Sequence, residues 1–200
     1  MASPSRPRKP RAYHHGDLKA AAFSEARRTL ARDGFEAISL RAIAEKLRVV
    51  PNALYRHFRS KEALLALLAE EGFQKMGDRF RAIKANTALQ RFRRMATEYA
   101  RFALENPETL RLMFSRAMTR LPKAEGLGEK ATSTFTELLK SAAAVAGRSL
   151  ESAKSLEFAI AAWSLVHGYA TLAMDGALDF IDTDRGPEIN QIVRFIDFRE

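Results

Sequence analysis

Apolar residues recur every three or four positions along most of this chain, a spacing that predicts amphipathic helices. A clear example follows Ser39, a good N-cap, where Leu40, Ile43, Ala44 and Leu47 stand at i, i+3, i+4 and i+7. Sustained alternation of apolar and polar residues, which is typical of strands, is scarce. We therefore expect an all-α protein.

Gly, Pro and capping residues divide this pattern into successive helices. The first is expected from Asp17 to Arg32, before Gly34, and a short helix is expected from Pro51. The helix that begins after Ser60 should run into the eighties. The remaining helices are expected over approximately 88–105, 107–120, 129–146, 152–176 and 187–199, with loops at 121–128 and 179–186.

Composition narrows the class of protein. With 200 residues, 46% of them hydrophobic, the chain can bury a sizeable core, and with no cysteine it cannot form disulfides or thiolate metal sites. Residues 1–12 are basic and lack the apolar stretch of a secretory signal. The apolar region 156–174 is interrupted by polar residues, so we expect a buried helix there and not a membrane span. A cytoplasmic protein is the expectation.

Charge is concentrated at one end of the chain. Residues 1–60 contain 13 Lys and Arg against 5 Asp and Glu, a net +8, whereas residues 61–200 contain 20 against 19, a net +1. A basic region of this kind suits a polyanion, because each neutralised phosphate releases condensed counterions. A solvated basic face is the alternative that charge alone leaves open.

Two short helices in the basic region are joined by a three-residue turn, 48–50. This arrangement predicts a helix-turn-helix, whose second helix can enter the major groove of DNA. At about 100° per residue, Leu54 and Phe58 share its inner face while Asn52 and Arg56 point the opposite way. The alternative is a surface helix that has no contact with DNA.

Asn52 and Arg56 are the candidate base readers, because Asn can pair bidentately with adenine and Arg with guanine. Contacts to phosphates, which set register and orientation, are expected from the side chains around them. These are Ser39, Arg41, Tyr55 and Lys61. The arm 1–12, with Arg6, Arg8, Lys9 and Arg11, is a candidate for a minor groove.

The run from Tyr13 to Phe73 closely resembles the DNA-binding domain of the tetracycline-repressor (TetR) family of bacterial regulators. The matching elements are Gly34-Phe35, Ser39, Ile43-Ala44, Leu47, Val49, Ala53-Leu54-Tyr55, His57-Phe58 and Lys61-Glu62. The resemblance implies base reading by the start of the recognition helix, where Pro51, Asn52 and Ala53 lie. It also implies phosphate contacts from Ser39, Arg41, Tyr55, His57 and Lys61.

Three residues depart from the family pattern. Arg48 stands where Gly is usual in the turn, Val50 where Ser or Thr often caps the recognition helix, and Asn52 where Gly is frequent. A positive φ at Arg48 would strain a non-Gly residue, and a lost cap costs about 0.5–2 kcal/mol. We expect the fold to survive and the operator sequence to differ from those of relatives.

The second part of the chain holds an unusual helix, 156–174, which is apolar on nearly every side and therefore requires burial on nearly every side. Its Trp163-Ser164-Leu165-Val166-His167-Gly168 segment resembles the W-x-x-x-H-G signature of one group of TetR-family C-terminal domains. That resemblance implies a homodimer, paired through a four-helix bundle of helices near 152–176 and 187–199. The last helix carries a fitting apolar stripe of Ile189, Ile192, Val193 and Ile196.

Apolar and aromatic side chains of this part are candidates for an effector cavity, with Tyr99 and His167 as polar anchors. They are Phe102, Met113, Phe114, Met118, Phe135 and Trp163. A small apolar or amphipathic effector is expected. Ordinary core packing is the alternative for each residue, and a satisfied buried histidine is the alternative for His167.

Catalytic and metal-binding patterns are absent from the sequence. Asp179, Asp182 and Asp184 lack the offsets of a calcium loop, and His14-His15 lacks partners at metal spacing. No phosphate-binding loop, dinucleotide fingerprint, H-E-x-x-H or nucleophile elbow occurs. We expect neither a cofactor nor an enzyme.

These observations predict a homodimeric regulator with an arm (1–12), a helix-turn-helix domain (13–60) and a ligand-binding and dimerisation domain (61–200). It is expected to repress transcription at a palindromic operator, to be released by a small molecule, and to lie on the nucleoid when bound. One alternative is a sequence-tolerant architectural DNA binder. The other is a small-molecule-binding or catalytic helical protein whose basic end is incidental.

Overall fold

The computed structural model describes residues 15–119 and 128–179, and these ranges are helical and contain no strand. The all-α prediction is confirmed. The helices are α1 His15–Asp33, α2 Leu40–Lys46, α3 Pro51–Tyr55, α4 Lys61–Ala82, α5 Ala88–Glu105, α6 Pro107–Met113, α7 Arg116–Thr119, α8 Gly128–Ala146 and α9 Ala153–Met174. The chain divides into two compact units between Leu65 and Ala66, so α4 continues through the boundary.

The first unit is a helical cluster held by inward-facing apolar side chains from α1 to the first turn of α4. The predicted caps are present: Ser39 Oγ accepts a hydrogen bond from the Ala42 amide at 3.5 Å, and Ser60 Oγ accepts one from the Ala63 amide at 3.1 Å. A Lys46–Glu25 ion pair, 2.8 Å long, joins α2 to α1 and lowers the pKa of Glu25. These contacts fix the start and tilt of α2.

The turn between α2 and α3 is closed by a left-handed residue that is not glycine. Arg48 has φ +55°, and its amide donates to the Glu45 carbonyl at 3.0 Å. The Val49 amide donates to the Ala44 carbonyl at 2.9 Å, which completes a Schellman motif. Glycine adopts this conformation without strain, but a residue with a Cβ does not, so Arg48 introduces backbone strain at this turn.

The second unit packs α5, α8 and α9 against one another. Phe92 lies in the core of this packing and stacks on Phe158, with ring centroids 5.1 Å apart. The Arg91 guanidinium donates to the carbonyls of Ile83 and Phe80 at 3.0 and 3.2 Å, so α5 holds the C-terminal end of α4. The alanines Ala142, Ala159 and Ala162 allow the close approach of α8 and α9.

The prediction of one helix over 107–120 is wrong, because α6 and α7 are separate. The backbone leaves the α-helical region at Phe114, with φ −109°. Ser115 then starts α7, since its Oγ accepts a hydrogen bond from the Met118 amide at 3.4 Å. A serine side chain that competes for backbone groups in this way favours a new helix start over continuation.

The other predicted helices agree with the structure to within a few residues. The helix predicted over 187–199, the arm 1–12 and nearly all of both predicted loops lie outside the described residues. Among the helices of the described ranges, none combines the length and hydropathy that a membrane span requires.

The strained turn generates a first prediction. Arg48→Gly should raise the free energy of unfolding by about 0.5–1 kcal/mol, because relief of the left-handed strain exceeds the extra unfolded-state entropy of glycine. Urea unfolding followed by circular dichroism measures this. Arg148→Gly is the matched control, since Arg148 is exposed after α8 without a positive φ, and it should leave stability unchanged or lower. Equal effects of the two substitutions would contradict the strain at Arg48.

Candidate DNA-reading surface and effector cavity

The recognition helix α3 turns an apolar side inward and a polar side outward. Leu54 and Phe58 are 0% and 1% exposed, whereas Asn52 and Arg56 are exposed. Tyr55 is 51% exposed on the flank. This placement gives the two predicted base readers the orientation that contact with base edges requires.

The helix is short and lacks a polar cap. It spans Pro51–Tyr55, with Arg56 at its C-cap, and Val50 at its N-cap makes no side-chain hydrogen bond. Pro51 occupies the first turn, where its missing N–H costs nothing. A helix of five residues is not stable by itself, so its geometry depends on packing against the rest of the unit.

Two of the predicted phosphate contacts also stabilise the unit. Lys61 Nζ donates to the Glu36 carbonyl at 2.7 Å and so joins the start of α4 to the loop before α2. Ser39 is exposed while its hydroxyl caps α2, and Arg41 is exposed two residues further on. His57 is half-buried, with its ring edge-on to Phe58 at 6.5 Å.

Ala53, the remaining DNA-contact candidate, is half-buried and lies on α3 between its exposed side and its buried side. Its small side chain lies beside Asn52, at the N-terminal end of the exposed surface. The nine DNA-contact candidates therefore all belong to the first unit, and their roles stay predictions.

The second unit contains a cavity of about 500 Å³ with almost wholly apolar walls. Four helices (α4, α5, α8 and α9) and the α6–α7 break contribute to it, and none of the described residues that line it is Asp, Glu, Lys, Arg or His. The lining residues are Phe73, Met76, Phe80, Phe92, Met95, Ala96, Tyr99, Phe114, Ala131, Thr132, Thr134, Phe135, Leu138, Leu156, Ile160, Ala162, Trp163 and Val166.

The structure brings together some of the cavity candidates and separates others. Tyr99, Phe114, Phe135 and Trp163 lie in the wall, and His167 lies directly behind Tyr99. Their roles in binding stay predictions.

Three further candidates are buried and are not among the residues that line the cavity. Phe102 lies beneath the Arg79 guanidinium at 5.4 Å. Met113 and Met118 are 1% and 3% exposed, and neither lines the cavity. Their positions favour the alternative of ordinary core packing for these three.

A hydrogen-bonded cluster forms the polar part of the wall. The Tyr99 hydroxyl lies 2.6 Å from His167 Nδ1, and Trp163 Nε1 donates to the Tyr99 hydroxyl oxygen at 3.5 Å. Burial raises the pKa of Tyr99 and lowers the pKa of His167. Both side chains are therefore uncharged near neutral pH. Phe114 packs edge-on against His167 at 4.9 Å and closes the cluster from the side.

The sequence did not single out the contribution of α4 to the wall, and of α8 it singled out only Phe135. Phe73, Met76 and Phe80 recur at i, i+3 and i+7, but the same pattern marks any core-facing helix. Thr134 is 6% exposed, and its hydroxyl hydrogen-bonds the Phe73 carbonyl at 3.0 Å and the Lys130 carbonyl at 2.9 Å. No periodicity signals such a contact between two helices.

Comparison with known proteins identifies this architecture. Residues 23–68 match the family model "Bacterial regulatory proteins, tetR family", and residues 92–195 match "Tetracyclin repressor-like, C-terminal domain". A helix-turn-helix unit followed by a helical C-terminal domain defines a class of bacterial transcriptional regulator, which is not an enzyme. The second match covers more than half of the chain, and the protein belongs to the TetR family. The W-x-x-x-H-G assignment stays a prediction.

Relatives agree with this assignment. The chain is 30% identical over 89 residues to the HTH-type transcriptional repressor KstR of Rhodococcus jostii (strain RHA1). The aligned residues are 44% of this chain and 40% of that protein. The chain thus spans less than half of the length of the curated relatives it matches.

Solved structures extend the likeness over nearly the whole chain. A protein with unknown function from Rhodococcus sp. RHA1 is 31% identical, with a TM-score of 0.73 over 92% of this chain and 94% of that chain. A TetR variant from Acinetobacter baumannii AYE, solved in complex with minocycline, is 20% identical with a TM-score of 0.60, covering 92% and 96%. The last likeness concerns the fold alone.

The buried threonine generates a second prediction. Thr134→Val keeps the shape of the side chain but removes its hydrogen bonds, and it should lower the free energy of unfolding by about 1 kcal/mol. Thr136→Val is the control, because the Thr136 hydroxyl donates only within α8, to the Thr132 carbonyl at 2.8 Å. Thermal and urea unfolding measure the difference. Indistinguishable stabilities would mean that the α4–α8 hydrogen bond contributes nothing.

Proposed function

We propose that this TetR-family regulator is a repressor that binds a palindromic operator as a homodimer and is released by a small-molecule effector. The observation that carries the proposal is the orientation of α3. Its apolar side is buried, while Asn52 and Arg56 face outward from a unit that bears nearly all of the net positive charge. The alternative of an incidental basic end does not explain that orientation.

Sequence reading is assigned to the exposed side of α3. Asn52 is proposed to pair with adenine and Arg56 with guanine, while Pro51 and Ala53 approach the bases at the start of the helix. Phosphate contacts around this surface fix its register in the groove. They are assigned to Ser39, Arg41, Tyr55, His57 and Lys61, with the arm 1–12 in a minor groove.

The homodimer is proposed because the described residues leave one side of the apolar α9 uncovered. Leu165 and Leu172, seven positions apart and outside the cavity wall, are 37% and 48% exposed, so the expected burial on nearly every side is not met within the described part of one chain. A Cβ built on Gly168 meets no described atom within 4 Å apart from its own neighbours and helix backbone, which leaves room for a close approach. A second copy, paired through 152–176 and 187–199, is the proposed cover.

Effector release is proposed to act through α4. This helix begins at Lys61 and carries Phe73, Met76 and Phe80 in the cavity wall. An effector that favours one position of these side chains would shift the population of α4 positions and move the two recognition helices out of groove register. The repressor role of KstR and the bound minocycline in the Acinetobacter protein support repression and effector binding. A protein that works on chromosomal DNA in this way lies in the cytoplasm, on the nucleoid when bound.

Specific DNA reading is tested by two substitutions. Asn52→Ala and Arg56→Ala should each weaken binding to a selected palindrome by about 5–150-fold while weakening binding to random DNA much less, because each removes a base contact. Fluorescence anisotropy at fixed salt measures both affinities. Arg148→Ala, an equal loss of charge outside the first unit, should change neither.

The same measurements separate the rival function. Equal losses on the palindrome and on random DNA would favour the architectural DNA binder. Binding untouched by both substitutions would remove α3 from the DNA interface altogether.

The dimer is tested on the uncovered side of α9. Leu172→Glu should shift the protein from dimer to monomer at micromolar concentration with unchanged helix content, because it places a charge in an apolar interface. Light scattering after size-exclusion chromatography measures the mass. Leu150→Glu, at a residue 40% exposed outside α9, should remain dimeric. A Leu172→Glu protein that stays dimeric would place the interface elsewhere.

A further inference from the structure

The chemistry of the cavity wall narrows the class of effector. We propose that the cavity binds an uncharged, predominantly apolar molecule that donates a hydrogen bond to the Tyr99 hydroxyl oxygen. The regulatory meaning of this inference rests on the proposed function, but the binding itself does not, because it can be measured on the protein without DNA.

Charged ligands do not fit the wall. No acidic, basic or histidine side chain is among the described lining residues, and the acidic proton of Tyr99 is held by burial. A carboxylate, phosphate or ammonium group would enter without a counter-charge, and an unpaired buried charge is strongly disfavoured. The apolar part of the ligand, in contrast, meets apolar aromatic and aliphatic side chains.

The size of the cavity suits a small ligand. Its volume of about 500 Å³ lies within the range of pockets that hold small molecules. Phe73, Phe92 and Phe135 come from three different helices and surround the space with apolar surface. Each additional buried methylene should therefore strengthen binding by about fourfold until the cavity is full.

The polar hydrogens of the wall are already donated. Four lining side chains carry one: Tyr99, Thr132, Thr134 and Trp163. Thr132 donates to the Gly128 carbonyl, and the Thr134 hydroxyl hydrogen-bonds the carbonyls of Phe73 and Lys130. Trp163 donates to Tyr99. Whether the wall offers a ligand a hydrogen-bond donor or an acceptor therefore depends on where the Tyr99 hydroxyl hydrogen points.

Tyr99 donates that hydrogen to His167. Burial keeps the imidazole neutral, so one of its nitrogens is an acceptor, and a phenol is a better donor than a neutral imidazole N–H. The contact of 2.6 Å to Nδ1 fits a strong bond of this polarity. The Tyr99 oxygen then accepts from Trp163 and keeps one lone pair for the ligand. A wall that offers acceptors selects a ligand that offers a donor.

A pair of isomers tests this polarity. n-Decanol and methyl nonyl ether have the same atoms and nearly the same shape, but only the alcohol donates a hydrogen bond. Trp163 is the only tryptophan in the chain and lies in the wall, so its emission reports binding directly. We expect the alcohol to bind at least about fivefold more tightly than the ether. Decanoate and decylammonium at about pH 8 should bind at least about 100-fold more weakly than the alcohol.

Variants assign the effect to Tyr99. Tyr99→Phe should abolish the preference for alcohol over ether while changing ether affinity less than about twofold, because only the hydroxyl is lost. Tyr169→Phe is the matched control, since Tyr169 lies on α9 outside the cavity wall and should keep the preference. Ala96→Phe, which fills the cavity, should abolish binding of both isomers with helix content retained.

Several outcomes would overturn the inference. These are an ether that binds as tightly as the alcohol, a decanoate that binds comparably, a preference that survives Tyr99→Phe, or no saturable binding of either isomer up to its solubility limit. Failure of the proposed function would look different, because loss of operator binding in Asn52→Ala leaves every one of these ligand affinities unchanged.

Discussion

Burial of Leu54 and Phe58 is the constraint on which the DNA-reading surface depends. A five-residue helix capped by Val50 has neither the length nor the polar cap to hold its own direction in water. Leu54 and Phe58 are buried, at 0% and 1% exposed, so rotation of α3 about its axis would bring both apolar side chains into water. Asn52 and Arg56 therefore stay directed outward, because turning them inward would expose Leu54 and Phe58 to water.

The strained turn belongs to the same constraint. Arg48 adopts a left-handed conformation because the Schellman bonds of α2 and the packing of α3 both require the chain to turn there. The resemblance to the TetR family indicated this strain, since an arginine stands where that family's pattern usually has glycine. A turn that tolerates a cost of this kind shows how firmly the surrounding contacts define the geometry of the unit.

Local chemistry explains why much of the first unit was predictable from the sequence. Ser39 and Ser60 cap the helices that follow them, and the spacing of Leu54 and Phe58 specifies an inner face within a single turn of chain. Each of these signals lies within a few residues of the feature it predicts. Helix ends and buried helix faces can therefore be predicted without knowledge of the tertiary structure.

The cavity was only partly predictable, because its wall is assembled from helices that lie far apart in the sequence. Phe102 and Phe114 look alike as aromatic residues of the second unit, yet one is core and the other lines the cavity. The two residues differ because the helix is interrupted between α6 and α7, at Phe114 and Ser115. This interruption turns the Phe114 ring toward Trp163, with ring centroids 5.5 Å apart. Hydrophobic periodicity reports that a side chain is buried, but not whether it faces another side chain or an empty volume.

Helix α9 connects the two proposed activities of the second unit. Ala162, Trp163 and Val166 face the cavity, whereas Leu165 and Leu172 lie on the uncovered side of the same helix. If two copies pair through that side, any shift of α9 that an effector favours also changes the fit between the copies. The coupling must be reciprocal, since an effector that alters the dimer interface has its own affinity altered by dimerisation to the same degree. The Tyr99–His167 hydrogen bond joins α5 to α9 at the cavity wall, so a ligand that contacts Tyr99 touches a side chain bonded directly to α9.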